Sequence, residues 1–245
     1  MEPFVKPSSR LIGWLLIVGV VLVMVPYTAL TINFDYPDIL RQTPAVVLTR
    51  FHQGGSALIV TWWVFSLGGL PLLQAYVLIG QQLDQQNTTV RWATTLGVVS
   101  GLVQIIGLLR WTFVVPVLAM NYVTTPDPAT RRAIEVVFTA VHQYGGVVLG
   151  EHLGQLFTIL YTVLLSAVFA RLNLFPRWVS YVGYAASAVY LLAQGELFAT
   201  VIPGFPVWEL AGLLGSTGWL VWLIIVGLCF LRLPLRNDID LYHAA

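Results

Sequence analysis

Three ionisable side chains, Arg110, Glu151 and Glu196, interrupt apolar runs in which charge is otherwise scarce. Gln104, Gln155, Gln194 and Glu209 lie in or beside the same runs. A charged group near the centre of a bilayer costs roughly 2.5–3.5 kcal/mol even on the mildest scale. Arg110 is therefore expected to pair with an acid, first Glu151 and then Glu196. At about 100° per residue, Tyr144, Glu151, Gln155, Thr158 and Thr162 share one narrow helical face, as do Gly183, Ser187, Tyr190 and Gln194. Two such faces meet best inside a bundle, where they would line a polar pocket. An acid cluster with one arginine suits an amine or a proton better than a large anion. The same residues also fit a structural ion network that holds helices in register.

Three histidines, His52, His142 and His152, are the metal or haem candidates. Histidines from paired helices can bracket a haem iron, yet their spacing matches no recognised metal motif such as H-E-x-x-H. Glu151 and His152 are sequence neighbours, and residues i and i+1 do not face each other on a helix. No Gly-rich phosphate loop, nucleophile elbow or Cys–His constellation is present, so no catalytic residue is assigned and no cofactor is named.

The elements that must position these groups follow from composition. Of 245 residues, 58% are hydrophobic and 9% charged, against about 25% charged in soluble domains. Mean hydropathy is +0.81. Such a chain needs a lipid bilayer as its partner. A net charge of +1 provides no basic stripe for nucleic acid. The single Cys229 excludes an intrachain disulfide. Lys6 and Arg10 ahead of an apolar run imitate a signal peptide, but the run to Ile32 exceeds a normal h-region and reads as a retained first helix.

Spanning hydrocarbon takes about 20 apolar residues. The sequence predicts six transmembrane helices in an all-α single domain over 1–245, near Leu11–Ile32, Gly55–Gly80, Val90–Ala119, Tyr144–Ala170, Trp178–Val201 and Val207–Leu231. Pro26, Pro71 and Pro116 mark kinks within spans. Trp14, Trp62, Trp63, Trp92, Trp111, Trp178 and Trp208 lie mostly towards span ends, as an aromatic belt requires. Long loops are expected near 33–54 and 121–143.

With Arg110 set aside, the inner segments hold Lys6, Arg10, Arg91, Arg171, Arg177, Arg232 and Arg236, and the outer loops hold Arg41, Arg50, Arg131 and Arg132. Seven against four favours cytoplasmic N- and C-termini in the cell membrane. That orientation puts Arg110, Glu151, Gln155, Gln194, Glu196 and Glu209 in one outer layer.

The second helix is preceded by Phe51-His52-Gln53-Gly54-Gly55 and the fourth by His142-Gln143-Tyr144-Gly145-Gly146. The third opens with Arg91-Trp92 before Gly97, and the fifth with Arg177-Trp178 before Gly183. Each carries a charge nineteen residues after its arginine, Arg110 and Glu196. Helices two–three and four–five thus read as a duplicated hairpin, related about an axis along the membrane normal. Gly97/Gly101 and Gly183/Ser187 are spaced for close helix approach.

The stretches 33–41 (with Tyr36-Pro37-Asp38-Ile39-Leu40-Arg41), Phe51–Gly55, Leu149-Gly150-Glu151-His152-Leu153-Gly154 and Pro176-Arg177-Trp178 resemble a bacterial family of small multipass membrane proteins. It is the domain-of-unknown-function family numbered 4386, and the resemblance runs from the first helix to the sixth. It implies a cell-membrane protein, no assigned activity, and a family motif around Glu151. The sequence therefore points to a non-enzymatic membrane protein that binds or senses a small ligand or lipid in a polar pocket. A small secondary transporter is the alternative, and haem- or metal-based electron transfer a further one.

Overall fold

The computed structural model describes residues 9–83 and 88–233, and among these every regular element is helical. Lys6 and Arg236, used above for orientation, lie outside the described residues. The helices are α1 (Ser9–Phe34), α2 (Pro44–Leu67), α3 (Leu70–Gln82), α4 (Thr88–Phe113), α5 (Val115–Thr124) and α6 (Pro128–Val141). A π-helix over His142–Leu153 leads into α7 (Gly154–Leu172), then α8 (Arg177–Leu192), α9 (Gln194–Ala199) and α10 (Ala211–Arg232). A 3-10 turn, Asp38–Arg41, links α1 to α2.

Five helical stretches are long and apolar enough to cross a membrane: Ser9–Phe34, Pro44–Gln82, Thr88–Thr124, Pro128–Leu172 and Ala211–Arg232. The expected fifth span is shorter, because α8 holds only 16 residues. At Ala193 the chain keeps right-handed helical angles (φ −63°, ψ −20°) and bonds back to the Tyr190 carbonyl, so α9 follows α8 after one tightened turn. α8 nevertheless packs as a full member of the bundle. In chain order α1 meets α2 and α3, these meet α4, α4 meets α7, α7 meets α8, α8 meets α10, and α10 returns to α1. The helices close a ring.

Prolines act where sequence places them, with different outcomes. Pro71 and Pro116 each lie near the start of a new helix, after breaks at Gly68–Gly69 and Val114. Pro26 sits inside an uninterrupted α1. The expected long loops are largely helical instead. Pro44 starts α2 with its fixed φ, and Asp127 caps α6 by accepting from the Ala129 and Thr130 N–H groups ahead of Pro128. These backbone and side-chain hydrogen bonds hold Asp127's carboxyl below the ordinary carboxylate range, behind the larger contribution of the Thr130 hydroxyl. The 45 residues of Pro128–Leu172 form one helical stretch, well beyond the roughly 20 that cross hydrocarbon.

Two apolar clusters fill the ring. One gathers Leu16, Tyr76, Tyr161, Phe169, Trp222 and Phe230 from α1, α3, α7 and α10. The other joins Phe34, Leu40, Phe51, Trp62, Trp111 and Phe138 at the opposite end. Trp62 and Trp111, expected at the interface belt, are fully buried here and stack with ring centroids 4.8 Å apart. Trp14, Trp63, Trp92, Trp178 and Trp208 are exposed, as a belt requires.

Small residues set the helix spacing. A Cβ on Gly97 would come within 2.8 Å of Tyr161 and 3.1 Å of Tyr76, and one on Gly183 would strike Ser166 and lie 2.8 Å from Trp222 Nε1. Gly212 has nothing within 4 Å. Gly183→Ala is therefore expected to cost about 1–3 kcal/mol by overpacking. Gly212→Ala should leave stability unchanged or raise it by up to about 1 kcal/mol through helix propensity. Unfolding of the detergent-solubilised variants measures both.

Candidate functional site

Glycine shapes the ground on which the polar residues meet. A Cβ on Gly107 of α4 would come within 2.7 Å of both the Gly145 carbonyl oxygen and the Gly150 Cα. The two backbones touch because Gly107 lacks a side chain, whereas a Cβ on Gly145 or Gly150 would meet nothing closer than 3.5 Å. The backbone that meets α4 here is the π-helix, whose bonds span i to i+5 and which recurs at functional sites. Arg110 enters the gap so made. Its guanidinium lies where a Cβ on Gly146 would be, and Nη1 donates to the Gly107 carbonyl.

Arg110 is buried, with its guanidinium carbon 5.2 Å from the Trp111 ring centroid. It makes no ion pair with Glu151 or Glu196 among the described residues, contrary to the sequence expectation. That role belongs to Arg41. Its Nη2 lies 2.8 Å from Glu151 Oε2 in the π-helix and its Nε lies 2.8 Å from Glu196 Oε1 in α9. Burial opposes the Arg41 charge, but the two carboxylates outweigh it and raise its pKa.

The segment carrying Arg41 is pinned by apolar contacts. Ile39 and Leu40 are buried in the second cluster. Tyr36 packs edge-on against Trp62 at 5.2 Å and Tyr27 at 5.4 Å, while Asp35 pairs with Arg50. Asp35 supplies the left-handed turn (φ 52°) that short polar side chains tolerate. Burial first, and then the nearby Glu151 carboxylate, push the Tyr36 hydroxyl pKa upward, and Arg110 partly offsets them.

The remaining amides form two chains. Gln194 Nε2 donates to Gln155 Oε1 at 2.7 Å, and its Oε1 lies 2.6 Å from His152 Nδ1. Gln104 Nε2 donates to Ser100 Oγ at 2.9 Å and Thr158 Oγ1 at 3.2 Å, and Ser100 also bonds the Gly154 carbonyl. Gln104 therefore joins α4 to α7 below the charged group. Glu209 is exposed in the segment before α10 and has no ion pair among the described residues.

The histidines separate. His52 is exposed, His152 is held by Gln194, and His142 stacks on Phe138 with centroids 5.4 Å apart. Among the described residues no three His, Cys, Asp or Glu side chains group to hold a metal ion. His142 also faces Trp111 at 6.1 Å and lies near the Leu40 carbonyl without hydrogen-bonding geometry.

Several buried polar atoms in this neighbourhood have no hydrogen-bond partner: Arg110 Nε, Glu151 Oε1, both His142 ring nitrogens, and the indole nitrogens of Trp62 and Trp111. Buried polar groups are satisfied in the large majority of cases. Here the orphans adjoin one another, through the Trp62–Trp111 stack, the Arg110–Trp111 contact and the Trp111–His142 pair.

Apolar helices of spanning length around a half-buried charged junction define a helical membrane protein. The family model Domain of unknown function (DUF4386) matches residues 11–227, and the chain belongs to that family. No curated protein and no solved structure matches it.

The exchange of Arg110 for Arg41 as the acids' partner is testable by double-mutant cycles. Arg41→Met with Glu151→Met should show a coupling of about 1 kcal/mol, near the upper end for partly exposed pairs. The cycle of Arg110→Met with Glu151→Met should couple less. Urea unfolding in detergent measures both, and a larger Arg110 coupling would reverse the assignment.

Proposed function

We propose that the chain binds a small polar molecule without net charge between Arg110, Glu151, His142 and the stacked indoles, beneath Arg41. The unpartnered polar atoms carry this reading. Arg110 Nε–H and two indole N–H groups offer donors, Glu151 Oε1 offers an acceptor, and His142 can serve as either. A ligand with one acceptor group and one donor group would satisfy them together. The charge count favours neutrality or a zwitterion. Arg41 and Arg110 balance Glu151 and Glu196, whereas the sequence alone placed one arginine against the acids. Gln155, Gln194 and His152 would brace the wall beside Glu196, and Gln104 the floor. Nothing in this arrangement supplies an activated nucleophile, so the reading is binding or sensing.

The reading includes six spans in the cell membrane, with α8 and α9 together forming the fifth and the site towards the outer face. It also includes the duplicated hairpin. His142 follows His52 by 90 residues, and Ser166 follows Tyr76 by the same interval. Gly97 abuts Tyr76, and Gly183, 86 residues later, abuts Ser166. These matched intervals and contacts support the duplicated reading. The first His-Gln motif lies just before Gly55 (φ 56°), and the second opens the π-helix, so each copy adjoins a departure from α-helical geometry.

Transport is a second reading, favoured by the buried hydroxyls of Thr158, Thr162 and Ser166 that continue inward from Gln155. Native mass spectrometry of the protein released from its own membrane tests the first reading. A reproducible added mass is expected, and it should be lost in Glu151→Gln and in Arg110→Gln. A bare polypeptide mass together with cation or proton flux in proteoliposomes would favour transport and sink the binding reading.

A further inference from the structure

Arg171 ends α7 and Arg177 begins α8, and both line a single cleft of about 400 Å³ with Ser180, Tyr181, Tyr184, Ala167 and Ala170. Twenty residues separate Glu151 from Arg171 along one helical path, about 30 Å at helical rise. The cleft therefore lies a hydrocarbon thickness away from the site above.

Neither arginine forms an ion pair or hydrogen bond among the described residues, and no acid lines the cleft. Helix polarity explains one of them. Arg171 lies in the last turn of α7, where the carbonyl ends favour a cation. Arg177 has the opposite situation. It occupies the first position of α8, whose N-terminal end already bears positive partial charge, and Pro176 provides no side-chain cap. A second arginine, Arg171, lines the same cleft. Two like charges and an uncapped helix start are arranged around one space, with no counter-charge among the described residues.

The connection that holds them there is built, not loose. Asn173 takes the left-handed conformation (φ 48°) that ends α7, and Leu174 N–H returns to the Phe169 carbonyl. Phe175 is buried against Phe169 and Phe230, with centroids at 4.9 and 5.2 Å. Ser180 donates to the Ser166 carbonyl at 2.9 Å, locking α8 to α7 at the cleft wall. Trp178 and Tyr181 are exposed on the outside of the bundle, as residues at a headgroup boundary are.

We propose that this cleft binds the phosphate of an anionic phospholipid headgroup. The two guanidiniums would clasp the phosphate oxygens, the geometry at which arginine excels. The tyrosine hydroxyls would reach the glycerol region, and the acyl chains would descend along exposed apolar α7 and α8. Basic clefts between helices at a membrane boundary take lipid headgroups in this manner.

The test is native mass spectrometry of the full chain from mixed micelles holding equal phosphatidylglycerol and phosphatidylcholine. The wild type is expected to retain phosphatidylglycerol at least tenfold over phosphatidylcholine. Arg171→Gln/Arg177→Gln should lose that preference, while Arg132→Gln keeps it. A lipid titration of the unmutated protein, read as thermal stabilisation, gives the same answer should the double variant fold poorly. Phosphatidylglycerol should raise the melting temperature and phosphatidylcholine should not. Equal retention of the two lipids by the wild type, an unchanged preference in the double variant, or stabilisation by inorganic phosphate equal to that by phosphatidylglycerol would each overturn the proposal.

Discussion

Arg41 lies between two carboxylates that come from segments far apart in the chain, the π-helix and α9. Each partner depends on the other two. Without Arg41, Glu151 and Glu196 would be two like charges at a half-buried junction, and the loop from α1 to α2 would lose its ion pairs to the second half of the bundle. The apolar anchors Ile39 and Leu40 bring the loop to this place, and the guanidinium fixes its register. Arg110 has a different constraint. It is too deep to be bridged in the same way, and it is accommodated by a carbonyl, an aromatic face and the absence of side chains at two glycines.

Much of the architecture follows from composition. A chain with 9% charged residues can bury its helices only in one another and in lipid, so the helical stretches were legible almost to their ends. What composition could not reveal was the length of helix beyond the apolar run. The segments 44–54 and 128–141 are polar enough to read as loops, yet Pro44 and the Asp127-Pro128 pair are helix-start signals that local propensity alone can recognise. The aromatic belt was half legible for a related reason. Residue type places a tryptophan near an interface, but only packing decides whether Trp62 and Trp111 face lipid or each other.

The site was legible as a collection and not as a set of pairs. Glu151, Gln155, Gln194 and Glu196 stand out because they are polar within apolar runs, and the helical wheel brings them to one end. Arg41 carries no such contrast, since a loop arginine is ordinary in a sequence. Its signal lay in the Tyr36–Arg41 motif, which shares with Glu151 a resemblance to the same family. The wheel also misled at one point. It treats 142–153 as an α-helix, whereas the angular step of a π-helix is smaller, so faces drawn from Tyr144 to Gln155 slip out of phase.

That π-helix has a further geometric consequence. Each of its hydrogen bonds closes over one more residue than an α-helical bond, so the segment His142–Leu153 packs surplus backbone into the height it occupies. The surplus lies beside Gly145, Gly146 and Gly150, where side chains put up the least resistance to rearrangement. The chain stores spare length at the place where its buried charges meet.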